Sequence, residues 1–398
     1  MTRFIGVDLH RNCFTVCMIA ENGREYESEY RLTQLPLFVR KLRSSDEVAV
    51  EATGNTRLFY DAVASHVAKV VVVNPSQFRV IRQSLKKTDR HDARMLAFYL
   101  SKGMLPEVRM KDKQHVQMAS LTQTRDTLVK QRTALKNKIN NILSAHGVNL
   151  PKEAISSEKA LQRILGMKFD LLVEVELRVI AGQIRSLNES IAQLDKTIKS
   201  EGAKLEGHGN LKSIKGIGDL GATILLSVIG DIRDFADEGK LAAYFGIVPR
   251  VSNSNETERS GRITKRGAKL GRTALVQCSL IAMRYSPYLA RFYHKIQARR
   301  GTGKAIIALA KKFLGVIYQT LKHNWVFEDF PNFVIAGARP ADSCAAGDLS
   351  HKGSKIKVLS ETNEGAPSAA RPRRSSSPGA ALGLRPRIAL SSAQAAQL

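Results

Sequence analysis

In a chain carrying 62 lysines and arginines against 36 aspartates and glutamates, acidic residues set at the ends of apolar segments call for a reason. Asp8 sits in Ile5-Gly6-Val7-Asp8-Leu9-His10, where apolar flanks place its carboxylate at the exposed edge of a core. Glu51 closes a second apolar run, Val48-Ala49-Val50-Glu51-Ala52-Thr53-Gly54. Asp89 and Asp92 stand three apart in Lys87-Thr88-Asp89-Arg90-His91-Asp92-Ala93, a spacing that puts both on one face of a helix. Singly, each has an ordinary explanation: Asp89 as a helix N-cap, Asp8 as a surface charge. Converging, the four would repel one another unless cations sat between them, and hard divalent ions with oxygen ligands fill that role. Two such ions roughly 4 Å apart activate a nucleophile and stabilise the leaving oxygen in phosphoryl transfer. The set reads as a metal-dependent, nuclease-type site.

A second group of residues is suited to binding phosphate. Gly261-Arg262-Ile263-Thr264-Lys265-Arg266-Gly267 is followed by a helix carrying Lys269 and Arg272, a basic segment that reads as a phosphate-contacting surface. A solvated charged loop is the plainer reading. Ahead of it lie Tyr244-Phe245-Gly246-Ile247-Val248-Pro249 and a polar loop rich in Ser and Asn. Further upstream, Ile214-Lys215-Gly216-Ile217-Gly218 precedes an apolar helix. Gly-x-Gly there resembles a helix-hairpin-helix, in which glycines let backbone N–H groups approach a phosphate, and Lys215 would add a charge. A simple turn between helices explains it as well. The net charge of +26 attracts polyanions, and nucleic acid is the commonest such partner. A basic ribosome-associated or membrane-surface protein is the alternative that composition leaves open.

The elements that must position these groups are legible in outline. Phe4–Leu9, Thr15–Ala20 and Glu25–Leu32 are short strands separated by turn residues. Glu47–Glu51 and Lys69–Asn74 are apolar, β-branched runs of buried parallel strands. Helical stretches are expected at Leu35–Leu42, Thr56–Val67, Ser76–Ser84 and Arg90–Lys102. Three strands followed by alternating helix and strand is the order of an RNase H-like mixed sheet. In 115–205, Leu121, Leu128, Leu135 and Ile142 recur every seven residues. Val173, Leu177, Ile180, Ile184, Leu187, Ile191, Leu194 and Ile198 alternate spacings of three and four. This is an a/d seam of two long helices, packed as a hairpin in one chain or as an intermolecular coiled coil.

Residues 206–330 read as a compact helical domain ending near Lys304–Lys322. After Phe333 the chain has no Phe, Tyr or Trp, and its Ala-, Ser-, Pro- and Arg-rich composition predicts a disordered tail over 331–398. The four cysteines, at 13, 17, 278 and 344, form neither a disulfide framework nor a zinc pattern, and reduced thiols in a cytoplasm fit them. No run approaches the length of a membrane span, and no signal peptide is evident.

The motifs Gly6-Val7-Asp8, Val50-Glu51-Ala52-Thr53-Gly54 and Lys87-Thr88-Asp89-x-x-Asp92-Ala93 resemble the DEDD motifs of the insertion-sequence 110 family of transposases. Gly246-Ile247-Val248-Pro249 and Arg262-Ile263-Thr264-Lys265-Arg266-Gly267 resemble the transposase 20 domain of the same family. The resemblance spans essentially residues 1–330 in the family's order. It implies an α/β plus all-α architecture: a RuvC-like, RNase H-like domain at 1–110, a coiled-coil helical region at 111–205, a serine-bearing transposase 20 domain at 206–330, and the tail. It implies that Asp8, Glu51, Asp89 and Asp92 ligate Mg²⁺, as two ions. It also implies a nucleophilic serine after the Gly-Ile-Val-Pro segment, which links covalently to DNA. Counted from Pro249 and back from Lys265, Ser254 falls at that position; Ser252, and Ser260 in a literal Ser-Gly, are its rivals. Arg262, Lys265, Arg266, Lys269 and Arg272 of the basic segment, with Lys215 of the Gly-x-Gly turn, are expected to face nucleic acid. The partners implied are element-end and target DNA, a non-coding bridge RNA, and further copies of the chain in a dimer or tetramer, acting at the bacterial nucleoid. There the acidic site of one subunit would meet the serine of another.

Two rivals remain at this point. A Holliday-junction nuclease of RuvC type needs the carboxylates but no serine. A non-catalytic nucleic-acid scaffold needs only the basic surface.

Overall fold

The computed structural model describes residues 2–75, 78, 88–151, 155, 157–254 and 257–337, without the side chains of 252–260. The helix expected at Ser76–Ser84 lies outside them except for Phe78, and the expected disordered tail lies outside them beyond 337.

Five strands form one sheet: β1 (Arg3–Leu9), β2 (Cys13–Ala20), β3 (Glu25–Arg31), β4 (Glu47–Glu51) and β5 (Lys69–Val73). Their order is β3-β2-β1-β4-β5. The first three run antiparallel as a meander; β4 and β5 run parallel to β1. Side chains alternate across the sheet. Ile5, Val7, Leu9, Val48 and Val50 face a core built with α1 (Leu35–Val39) and α2 (Thr56–Val63), where Phe14, Phe38 and Phe59 are fully buried. On the other face, Ala49, Val71 and Val73 pack against Leu96 and Leu100 of α3 (Asp89–Ser101). The close approach of α3 depends on Gly6: a Cβ there would stand 2.0 Å from the Ala93 carbonyl oxygen and 2.4 Å from the Ala97 nitrogen.

The heptad region forms two long helices, α4 (Lys113–Ala145) and α6 (Leu171–Gly202), that pack together within the chain. Arg125 pairs with Asp195, Arg132 donates to Asn188 at 2.8 Å, and Lys138 meets Glu176 at 3.0 Å, so the helices run antiparallel. Leu177, Ile180, Ile184, Ile191 and Ile198 of the expected seam are buried. The short α5 (Glu158–Leu165) closes the tip through Leu161 and Ile164. At the other end of the hairpin, Met118 and Ile198 join the core of the C-terminal part.

That part contains α7 (His208–Ser213), α8 (Asp219–Ile229), α9 (Glu238–Phe245), the strands β6 (Pro249–Ser254) and β7 (Thr257–Ile263), then α10 (Lys269–Tyr285), α11 (Pro287–Arg300) and α12 (Thr302–Lys322). Two features differ from the sequence reading. The Ser- and Asn-rich segment is an antiparallel hairpin rather than a loop, pairing Val251 with Ser260 and Ser254 with Thr257. The ordered chain also continues past 330, where the tail was expected to begin at 331. Strands β8 (Phe327–Asp329) and β9 (Val334–Ile335), with the turn between them, place Phe327, Phe330, Phe333 and Ile335 in the core. Among the described residues, no helix is long and apolar enough to cross a membrane.

Candidate active site

The acidic residues gather at one end of the sheet, but of the four only Asp8 and Asp89, with His10, have ligand atoms in a group within 4.8 Å. Gly6 pairs with Ala49 and Val7 with Val50 in the parallel β1–β4 ladder, so Asp8 and Glu51 follow on the face that α3 covers, at the C-terminal ends of neighbouring strands. Asp89 and Asp92 lie in the first turn of α3, where the helix dipole favours negative charge. Thr88 caps that turn by accepting from the His91 backbone N–H at 3.2 Å. Asp8 is buried, Glu51 and Asp92 are half-buried, and Asp89 is exposed. A carboxylate set graded from core to solvent at the end of a sheet is open to a charged ligand from one side.

His10 belongs to this group, although its role was not read from the sequence. Its Nε2 lies 3.2 Å from an oxygen of Asp8 and 3.3 Å from an oxygen of Asp89. The signal was available: His10 stands two residues beyond Asp8, and residues two apart share a face. The turn that carries it is pinned from across the sheet. The Asn55 amide donates to the carbonyls of His10 and Arg11 at 3.0 and 2.9 Å. Thr56 donates its hydroxyl to the Glu51 carbonyl at 2.9 Å and accepts from the Thr53 backbone N–H. Asn55 and Thr56 are thus positioning residues for both strand ends.

Burial pushes the Asp8 carboxyl above the usual carboxylate range; His10 pulls it down, while Asp89 and Asp92 push it up further. Burial lowers the His10 imidazole, but Asp8 and Asp89 outweigh that and leave it raised. The carboxylates therefore burden one another, and a cation relieves them. The donor set fits a hard divalent ion: one ligand atom each from Asp8, His10 and Asp89 lie within 4.8 Å of one another.

Comparison with known proteins bears on the same residues. The profile of the DEDD transposase of IS110 matches residues 5–147, and that of the IS116/IS110/IS902 transposase family matches residues 208–294. The chain belongs to the IS110 family of transposases. Its relatives match over most of its length. The transposase for insertion sequence element IS1111A of Coxiella burnetii is 27% identical over 80% of this chain and 89% of its own. The pilin gene-inverting protein of Moraxella bovis is 27% identical over 82% of this chain and 97% of its own. A probable family 20 transposase of Pseudomonas aeruginosa is 24% identical over 80% and 97%.

In the second matched region of this IS110-family transposase, the expected nucleic-acid residues divide by environment. Arg262, Lys265, Arg266 and Lys269 are exposed around β7 and the start of α10. Arg272 instead donates its Nη1 to the carbonyls of Phe245, Arg266 and Gly267 at 3.3, 3.1 and 3.0 Å, locking the base of the hairpin. The lock is tight: a Cβ on Gly246 would stand 2.0 Å from the Arg266 carbonyl oxygen, and one on Gly267 2.1 Å from that of Tyr244. Lys215 is exposed between α7 and α8. There Gly216 answers to packing, since a Cβ would meet the Ala282 nitrogen at 2.6 Å. Asp219 occupies the first turn of α8 and pairs with Lys212 at 2.6 Å. An acidic group where a phosphate would bind favours the plain-turn reading of this segment. Ser254 is the last residue of β6; its side chain and those of Ser252 and Ser260 lie outside the described atoms.

Proposed function

We propose that this IS110-family protein cleaves and rejoins DNA strands with two sets of groups: the carboxylates at the end of the sheet and a serine on the β6–β7 hairpin. The observation that carries the reading is the placement of Asp8 and Glu51 on one face of adjoining strands, beneath the α3 turn bearing Asp89 and Asp92. The strand order, three antiparallel and two parallel with helices on both faces, supports reading residues 1–110 as RNase H-like of RuvC type. Residues 111–205 form its coiled-coil region, and the part from 206 onward is the serine-bearing domain.

Asp8, Glu51, Asp89 and Asp92 hold Mg²⁺, as two ions, with His10 beside them. When bound, these ions neutralise the carboxylates and supply positive charge where the oxygens exchanged in phosphoryl transfer gather it. The protein's own contributions are geometric and electrostatic. Gly6 lets α3 bring its acidic turn onto β1, and Asn55 and Thr56 fix the two strand ends. Ser254 is the nucleophile: its oxygen bonds to phosphorus as a deoxyribose oxygen leaves, and its proton passes to a base. Arg262, Lys265, Arg266 and Lys269 hold the DNA backbone, while Arg272 holds the hairpin itself. The family resemblance adds a bridge RNA as guide and an oligomer in which the two sets of groups come from different subunits.

The test is covalent trapping with Mg²⁺, the element's junction DNA and its flanking non-coding RNA. Wild type is compared with Ser254→Ala, Ser260→Ala and Asp8→Ala. The expected result is a protein–DNA adduct that Ser254→Ala and Asp8→Ala abolish and Ser260→Ala retains. Cleavage that depends on Asp8 but survives both serine changes, without an adduct, would leave a junction nuclease instead.

A further inference from the structure

The β6–β7 hairpin does not stand alone. Between it and the α11–α12 junction lies a groove of about 1200 Å³. Six cationic side chains line it: Arg262 and Lys265 from the hairpin side, and Arg299, Arg300, Lys304 and Lys311 from the helices. Among the described residues, no acidic side chain lines the groove, and none of the six forms an ion pair. Basic residues elsewhere in the chain do find partners, as Lys212 finds Asp219, Lys138 finds Glu176 and Arg185 finds Glu158. Ile247, Ile296 and Ile307 supply an apolar floor beneath the charges. Six like charges gathered over apolar surface without counter-ions repel one another, and a polyanion removes that repulsion.

We infer that this groove is the path of a DNA strand, and that Arg299, Arg300, Lys304 and Lys311 hold its phosphates on the way to the β6–β7 hairpin. The inference deepens the function proposed above and rests on it for the choice of DNA. Charge and shape both fit: phosphates meet the six cations, and sugar and base edges meet the isoleucines. The direction follows from continuity. Pro249, Gly261 and Ile263 wall the groove and belong to the same two strands that carry Ser254. A strand lying in the groove is thereby delivered to the hairpin. The residues of α11 and α12 are separated from Arg262 by about one-tenth of the chain, and packing of α12 against α10, the helix that follows β7, brings them together.

The test measures equilibrium binding of a short single-stranded DNA, and of a structured RNA of equal length, to the full chain as salt rises from about 50 to about 200 mM. The groove variant is Arg299→Ala with Arg300→Ala and Lys304→Ala. Its control is Lys159→Ala with Arg163→Ala and Arg178→Ala, which removes the same charge from α5 and α6. Circular dichroism melts of both confirm that they fold. Each lost single-strand phosphate contact lowers the slope of log affinity against log salt by about 0.7. The groove variant is therefore expected to lose about 2 from that slope and roughly tenfold to a hundredfold in DNA affinity near 0.1 M salt. Equal losses in the groove and control variants would overturn the inference, since net charge alone would then explain them. A loss confined to the RNA, with DNA binding intact, would overturn it too. Asp8→Asn separates this inference from the proposed chemistry: it is expected to abolish cleavage and leave strand binding and its salt slope unchanged.

Discussion

The acidic site and the basic groove are assembled by opposite routes. The acidic site is local: two neighbouring strand ends and the first turn of one helix, held by the Asn55 and Thr56 hydrogen bonds. Its groups are partly buried and strained against one another, as the raised Asp8 carboxyl records. The groove is distributed: a hairpin after α9 and a helix junction some forty residues on, with exposed charges that meet no counter-ion among the described residues. A site for chemistry needs fixed distances, which hydrogen-bonded strands supply. A surface for a long polyanion needs charge spread along a path, which flexible, solvated side chains supply.

The sharpest way to break this division is at Asp8. Replacing it with Asn keeps the shape and removes the charge. If the carboxylates hold the catalytic cations, several kcal/mol of charge stabilisation disappear and cleavage falls about a thousandfold or more. Strand binding, read by anisotropy, should stay within about twofold. A parallel loss of binding would mean that the two regions are not separate devices.

Gly6→Ala tests how the acidic site is held. The new Cβ would collide with the backbone of Ala93 and Ala97, so α3 must move off the sheet and carry Asp89 and Asp92 with it. Overpacking of this kind costs about 1–3 kcal/mol or more. A fall in denaturant midpoint together with lost cleavage is expected. A fully stable and active Gly6→Ala protein would show that the approach of α3 is not what places the carboxylates.

What the sequence showed follows the same line. All five strands of the sheet were readable to within a residue or two, because turn residues bound the first three and the last two are apolar, β-branched runs buried on both faces. Asp8 and Glu51 stood out because they interrupt apolar runs, and Asp89 and Asp92 because they share one helix face; their role is the proposal made above. The antiparallel packing of α4 and α6 was one of two options, since a seam has the same period whichever helix fills it. The β6–β7 hairpin was missed because Arg250-Val251-Ser252-Asn253-Ser254 and Thr257-Glu258-Arg259-Ser260 are polar on both faces and carry no alternation to read. The groove was out of reach: nothing in 299–311 announces that it will fold against 262–265. Arg272 shows a third kind of loss, since a basic residue beside a basic loop reads as a phosphate contact until its carbonyl partners are known.

Arg272 gives the next test. Arg272→Met leaves the carbonyls of Phe245, Arg266 and Gly267 without their shared donor. Unmaking hydrogen bonds to a charged group costs about 1.5–3 kcal/mol. If Arg272 is a lock rather than a phosphate contact, thermal stability should fall while the salt slope of DNA binding stays as in wild type. A slope lowered by about 0.7 at unchanged stability would return Arg272 to the list of phosphate contacts.

The smallest effect concerns the join between the two regions. Lys111, just ahead of α4, donates its ammonium to the carbonyls of Ser227, at 2.9 Å, and Val228 near the end of α8, and its own carbonyl accepts from Arg57 of α2. Burial pushes its pKa down to about 8. The folded state therefore releases this proton more readily than the unfolded state, whose lysine titrates near 10.4. Between those two values the unfolded chain binds more protons, so stability rises with pH through this group. The gain from pH 8 to pH 9 is about 1 kcal/mol. Lys111→Met removes the titration as well as the hydrogen bonds. The stability difference between wild type and Lys111→Met, from denaturant melts, should thus widen in favour of wild type as pH rises from 8 towards 10. A difference that stays flat would mean that Lys111 keeps an ordinary pKa, and that the sheet and the C-terminal helices are joined at the surface rather than through a buried charge.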